Sequence, residues 1–82
     1  MPRGRVIEID IHAFEKMQAK NKLMSLISSA PKDVTEIVVI HGYRSGTILR
    51  DMVRNELRHS RIRDKMISVI NPGITTIFLR DE

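Results

Sequence analysis

The chain has 82 residues, 14 Lys or Arg against 10 Asp or Glu, a net charge of +4 and no cysteine. That length holds one domain with a modest core, and the missing thiols exclude a disulfide scaffold, a thiolate metal site and a cysteine nucleophile. No apolar run approaches the roughly 18 residues of a membrane span, and the opening MPRGRVIEID lacks the apolar segment of a signal peptide, so a cytoplasmic location away from membranes is expected.

The first predicted element is a strand over 6–12, where Ile7, Ile9 and Ile11 alternate with Glu8, Asp10 and His12. A helix follows over 14–30. Its apolar residues Ala19, Leu23, Leu26, Ile27 and Ala30 keep helical spacing with Met17 and Met24 alongside, Lys16, Lys20 and Lys22 are left toward water, and it ends near Pro31. The β-branched run 36–41 is predicted as an inner strand, covered on both sides or central in a parallel sheet.

A second helix is expected over about 46–59, capped by Ser45, with Leu49, Met52, Val53 and Leu57 as its buried stripe. Arg50, Arg54 and Arg58 fall at i, i+4 and i+8 and would form a basic ridge beside that stripe. Two further strands, 66–70 and 74–79, are joined by Asn71-Pro72-Gly73, with Pro presetting one turn dihedral and Gly supplying a positive one.

The order is β-α-β-α-β-β. Right-handed crossovers put both helices on one face of a mixed four-stranded sheet, an α/β two-layer sandwich. No repeat or linker divides the chain, so a single domain with a folded core of about 5–80 is expected.

The charge is unevenly placed. Residues 1–42 carry six basic side chains against five acidic, 43–65 seven against three, and 66–82 one against two. A basic sector after His41 favours DNA or RNA as partner, through phosphate contacts and counterion release. The alternatives are a solvated helix face without a partner and a basic helix that meets an acidic protein.

In open α/β sheets ligands gather beyond the carboxyl ends of the strands, and both of the first two predicted strands end in histidine. His12 and His41 should be neighbours there, with Asp10 placed to orient an imidazole or hold a water or metal. Asp10, His12 and His41 are residue types suited to acid–base attack on a phosphodiester. The turn residues Gly42, Tyr43, Arg44, Ser45, Gly46 and Thr47, with Arg50 and Arg54 on the helix behind them, are suited to holding phosphate. Plainer roles exist: a histidine can simply terminate a strand, and Asp10 can cap the turn into the first helix. The glycine spacing fits neither a P-loop, which needs GxxxxGK[ST], nor a KH domain, which needs GxxG between helices.

These residues resemble a family, the small MutS-related or Smr domain. IDIH at 9–12 is similar to its LDxH motif, and IHGYRSG at 40–46 to its HGxG-type turn, with Leu49-Arg50 near a family Leu-Arg and Ala19 at a small-residue position of the first helix. The resemblance implies a fold similar to the C-terminal domain of translation initiation factor three, and nucleic-acid binding with endonuclease activity, nicking or RNA-cleaving; magnesium or manganese is a candidate cofactor because two histidines and one carboxylate could hold it. Asp10 and His12 match the first motif, and His41 and Gly42 open the second. Ala13 stands where the family usually has glycine, and Arg44 replaces the second glycine of HGxG, adding charge where a phosphate would approach. A non-catalytic RNA-binding adaptor associated with the ribosome is the rival reading, and an edge strand near Val6 or Met66 leaves a homodimer open.

Overall fold

Ala19, Leu23 and Ile27 lie on one stripe of the first helix and are fully buried, and the rest of the fold is assembled against them. The computed structural model describes residues 4–42 and 47–80. In chain order these form β1 (Arg5–Asp10), α1 (Lys16–Ser29), β2 (Val34–Ile40), α2 (Ile48–Asp51, passing directly into a π-helical turn, Met52–Glu56), β3 (Ile62–Ile67) and β4 (Ile74–Leu79). The sheet order is β1-β2-β4-β3, with β1 and β2 parallel and the other two pairs antiparallel. The α1 stripe, Met52, Val53 and Leu57 share one core with Ile37 and Val39 of β2 and Ile77 and Leu79 of β4, so both helices cover the same face. The mixed sheet with two helices on one side is as expected, and β2 is an inner strand.

Boundaries moved where side chains compete for the backbone. β1 stops at Asp10, because the Asp10 carboxylate accepts the His12 backbone N–H (3.0 Å) and turns the chain. β2 begins at Val34, and only one of its faces is deeply buried: Val34, Ile37 and Val39 are covered while Val38 and Ile40 are half-exposed. The expected cover on both sides is therefore corrected; the β-branched run reflects an inner position in a mixed sheet.

The larger correction concerns α2. Instead of running to His59, the helix ends at Glu56, and Leu57 is extended at φ −74°, ψ 117° while its N–H reaches back five residues to Met52 O (2.8 Å). The wider π turn accommodates an extra residue, so the four-residue spacing of Arg50, Arg54 and Arg58 no longer makes a ridge. Arg54 turns inward, and Arg58 lies exposed beyond the helix end. Lys65 Nζ caps the turn by donating to Leu57 O (2.7 Å) and Arg54 O (3.3 Å).

That cap also explains β3, which begins four residues before the expected Met66. Lys65 faces the helix layer from the middle of the strand, so an outwardly polar stretch is in fact paired with β4, with a register shift between Ile62 and Asp64. Val69 and Ile70, expected in the strand, belong to the β3–β4 loop and are 96% and 92% exposed. In the turn that follows, Gly73 does not take a positive φ. Asn71 closes it instead, accepting Gly73 N–H on its side chain (3.0 Å) and Ile74 N–H on its carbonyl (3.2 Å).

Arg61 ties the two layers together by satisfying the free carbonyls at the end of α1: Nη1 donates to Ile27 O (2.9 Å) and Ala30 O (2.5 Å), and Nη2 to Pro31 O (3.1 Å). His59 accepts the Arg61 N–H on Nδ1 (3.0 Å), so its Nε2–H donates to Ser28 Oγ (2.9 Å). Arg61→Ala is expected to cost about 2 kcal/mol in urea unfolding, because it strips charge-assisted bonds from several carbonyls at once. Amide exchange should speed up at the last turn of α1 more than in β2.

Candidate functional site

Asp10 and Ile40 pair at the ends of the parallel strands, which brings the two histidine segments together. The Ile11 N–H extends the ladder to Ile40 O (2.9 Å), and His12 follows in the turn. Both expectations for Asp10 hold at once: one carboxylate oxygen takes the His12 backbone N–H and is also paired with His12 Nδ1. The bond from the His12 ring, more than the one from its backbone, holds the Asp10 carboxyl below its ordinary range. With Nδ1–H donated to Asp10, the neutral imidazole carries its lone pair on Nε2. The His12 side chain is 62% exposed.

His41 is in a different condition. It is 1% exposed, and both ring nitrogens are engaged. Nδ1–H donates to Gly42 O (2.8 Å), which makes Nε2 the acceptor from Thr75 Oγ1–H (2.9 Å). Thr75 Oγ1 in turn accepts Arg54 Nε–H (2.9 Å). Burial lowers the His41 pKa, opposed by the Gly42 bond and reinforced by the nearby positive charges of Arg54 and Arg50. The ring is thus neutral, with one tautomer selected from both ends.

Gly42 adopts φ +75°, a conformation open chiefly to glycine. A Cβ there would sit 3.4 Å from His12 Cβ, ordinary contact, so torsion rather than crowding demands the glycine. The Gly73 carbonyl anchors the same turn by accepting His41 N–H (2.9 Å) and Gly42 N–H (3.1 Å). Thr47 precedes α2, its carbonyl accepting Asp51 N–H (2.7 Å), and Arg50 Nε meets Asp51 Oδ1 at 3.4 Å. Tyr43, Arg44, Ser45 and Gly46 lie outside the described residues.

A cleft of about 390 Å³ opens at this end, between the starts of the two helices. Phe14, Ile48 and Leu49 give it apolar walls, with His12, Glu15, Lys16 and His41 as the other lining residues. Lys16 is held by an ion pair with Glu56 (2.9 Å). Reading the sequence missed Thr75, Phe14 and Ile48. Thr75 is 34 residues from its histidine, so only the β2–β4 pairing reveals it. Phe14 and Ile48 stand at helix starts, off the buried stripes, where periodicity has no hold.

Magnesium or manganese finds little here to hold it. Among the described residues no group of three or more His, Asp or Glu converges, and Asp10 is committed to His12. The described residues do not form a metal cage.

The fold and site define a class: a two-layer α+β domain whose first two strands end in an Asp-x-His turn and a His-Gly turn packed against each other. The Smr domain family model matches residues 9–74, and the chain belongs to that family. The crystal structure of the Smr domain of Thermus thermophilus MutS2 superposes with a TM-score of 0.80 over 90% of this chain and 98% of that one, at 20% identity, which shows the shared fold. No curated protein matches the sequence. Among the described residues no helix is long and apolar enough to cross a membrane.

The His41 network sets a pH dependence. Folded His41 binds a proton less tightly than an imidazole at its ordinary 6.5, so the unfolded chain protonates first as pH falls, and stability declines below about pH 6.5 until the folded-state value is passed. The melting temperature should therefore drop between pH 7 and 5. A His41→Asn variant should start lower and show a flatter profile over that range.

Proposed function

We propose that this Smr domain binds nucleic acid along the carboxyl edge of its sheet and acts there as an endonuclease, with the Asp10–His12 pair as its acid–base group. The observation that carries the reading is that pair, an exposed imidazole oriented by a carboxylate at the mouth of a cleft. His12 Nε2 is the nitrogen able to take a proton from an attacking hydroxyl, either an RNA 2′-OH or water. As the new P–O bond forms, the bond from phosphorus to the leaving oxygen breaks, and that oxygen takes its proton from solvent. The positive charge of Arg50 and Arg54 neutralises the phosphate, with Arg44, Ser45 and Thr47 as sequence candidates for further contacts. Tyr43 and Gly46, in the same stretch of sequence, are further candidates for contact with the phosphate. Gly42 provides the sharp bend after β2, and His41 serves as the pin that fixes the bend rather than as a second proton carrier.

The same geometry favours one rival. With both nitrogens of His41 engaged, a two-histidine mechanism has only one free member, as a non-catalytic RNA-binding adaptor would. End-labelled single- and double-stranded RNA and DNA, incubated with EDTA, Mg²⁺ or Mn²⁺, separate the two. The endonuclease reading expects cleavage that His12→Ala abolishes, falling at least 100-fold, while oligonucleotide affinity changes less than threefold. Shifted but intact substrates under every condition would leave the adaptor. In either case Arg50→Ala with Arg54→Ala should weaken binding and lower the slope of log affinity against log salt by about 1 to 2. An unchanged slope would move the binding surface elsewhere.

A further inference from the structure

The cleft beside His12 contains more than acid–base chemistry or phosphate binding uses. Phe14 and Leu49 pack against the core as well as lining the hollow, but neither packing, proton transfer nor phosphate binding accounts for Ile48 beside them. Ile48 is 64% exposed, standing in water across from a half-buried aromatic ring. One exposed apolar residue would need no explanation. This one shares a concave site with Phe14, and among the described residues its polar lining comes from Glu15, Lys16, His12 and His41. Apolar walls with a few polar groups at the edge suit a flat ring that has apolar faces and hydrogen-bonding edges.

Size narrows the occupant. About 390 Å³ is near the lower end of small-molecule sites, roughly 300 to 1,000 Å³. That is room for one base and its sugar, and a base enters only if it is unpaired, because in a duplex its faces are closed within the stack.

We infer that the cleft is a subsite for a single unpaired nucleobase, with Phe14 and Ile48 against the ring faces and Glu15 accepting a hydrogen bond from an exocyclic amine. A carboxylate accepts from such an amine and repels a bare phosphate, so the rim chemistry separates base from backbone. The Lys16–Glu56 ion pair braces the wall between α1 and the π turn. The base would lie beside His12, placing a neighbouring phosphate of the same strand before the Asp10–His12 pair. This inference rests on the nucleic-acid reading and sharpens it, from nucleic acid in general to a single strand or a locally unpaired one.

The test uses the full chain and fluorescence anisotropy of labelled oligonucleotides, each presented as a single strand and as a duplex, in DNA and RNA. The wild type is expected to bind the single strand more tightly. Ile48→Ser and Phe14→Leu should each weaken single-strand binding about tenfold, the scale of one base–side-chain stacking contact. Duplex affinity and salt slope should not change, since no charge is removed. Because Ile48 is mostly exposed, its replacement should leave the melting temperature unchanged, which separates a lost subsite from a damaged fold. An abasic site in the strand should weaken the wild type and abolish the effect of both substitutions.

Wild-type binding that neither substitution weakens, or that both weaken equally for strand and duplex, would overturn the subsite while leaving the nucleic-acid reading in place. A wild type that binds no oligonucleotide at low salt would overturn both. Binding of an apolar peptide that Ile48→Ser removes, with oligonucleotide affinity untouched, would assign the cleft to a protein partner.

Discussion

The chain of hydrogen bonds from Arg54 through Thr75 and His41 to Gly42 is the constraint on which the candidate site depends. A buried imidazole is costly unless both nitrogens are satisfied, and here Gly42 and Thr75 satisfy them, with Arg54 bonded in turn to Thr75. Thr75 is on β4, Arg54 is on the π turn after α2, and Gly42 leaves β2. One side chain therefore registers the helix layer, the sheet and the turn against one another. The Gly42 backbone, held at its unusual torsion by this bond and by Gly73, lies directly beside His12. The exposed pair and the buried network are successive layers of one assembly: the inner one sets the backbone, and the outer one meets solvent.

That layering gives the two histidines different electrostatic lives. Both sit near the ends of parallel strands, yet the Asp10 carboxylate orients an imidazole that remains wet, whereas burial, reinforced by two guanidinium groups, lowers the proton affinity of His41. A chemical role that requires a ring to gain and lose protons suits the first setting. A positional role, in which a fixed tautomer is an advantage, suits the second.

Much of the fold was legible in the sequence because its signals are local. The alternation of Ile7, Ile9 and Ile11, the Ala19–Leu23–Ile27 stripe and the run from Ile74 to Leu79 follow directly from the 2.0 and 3.6 periods, and β4 falls within its expected bounds. The misplaced features share another cause. Lys65 and Arg54 are half-buried charged residues that bond carbonyls and Thr75, so a reading that sends charge to solvent began the third strand too late and set Arg54 on an outer ridge. In the site, Asp10, His12, His41 and Gly42 could be brought together because the motifs sit at strand ends. The burial of His41 could not be read, since it depends on a threonine far along the chain.

The π turn makes the length of the second helix part of the site. Across Met52–Glu56 the backbone closes its bonds over five residues rather than four, and this wider turn is what lets Arg54 reach inward while Met52, Val53 and Leu57 stay buried. Removing one residue from this stretch would restore ordinary α-helical spacing and rotate everything beyond it by about 100°. The composition would scarcely change, yet where the lost residue precedes Arg54 that side chain would leave Thr75, and the proton arrangement on His41 would lose its outermost support. For this domain a single-residue deletion between 52 and 56 is thus a more drastic event than most substitutions there, because the surplus residue itself carries the alignment between helix and sheet.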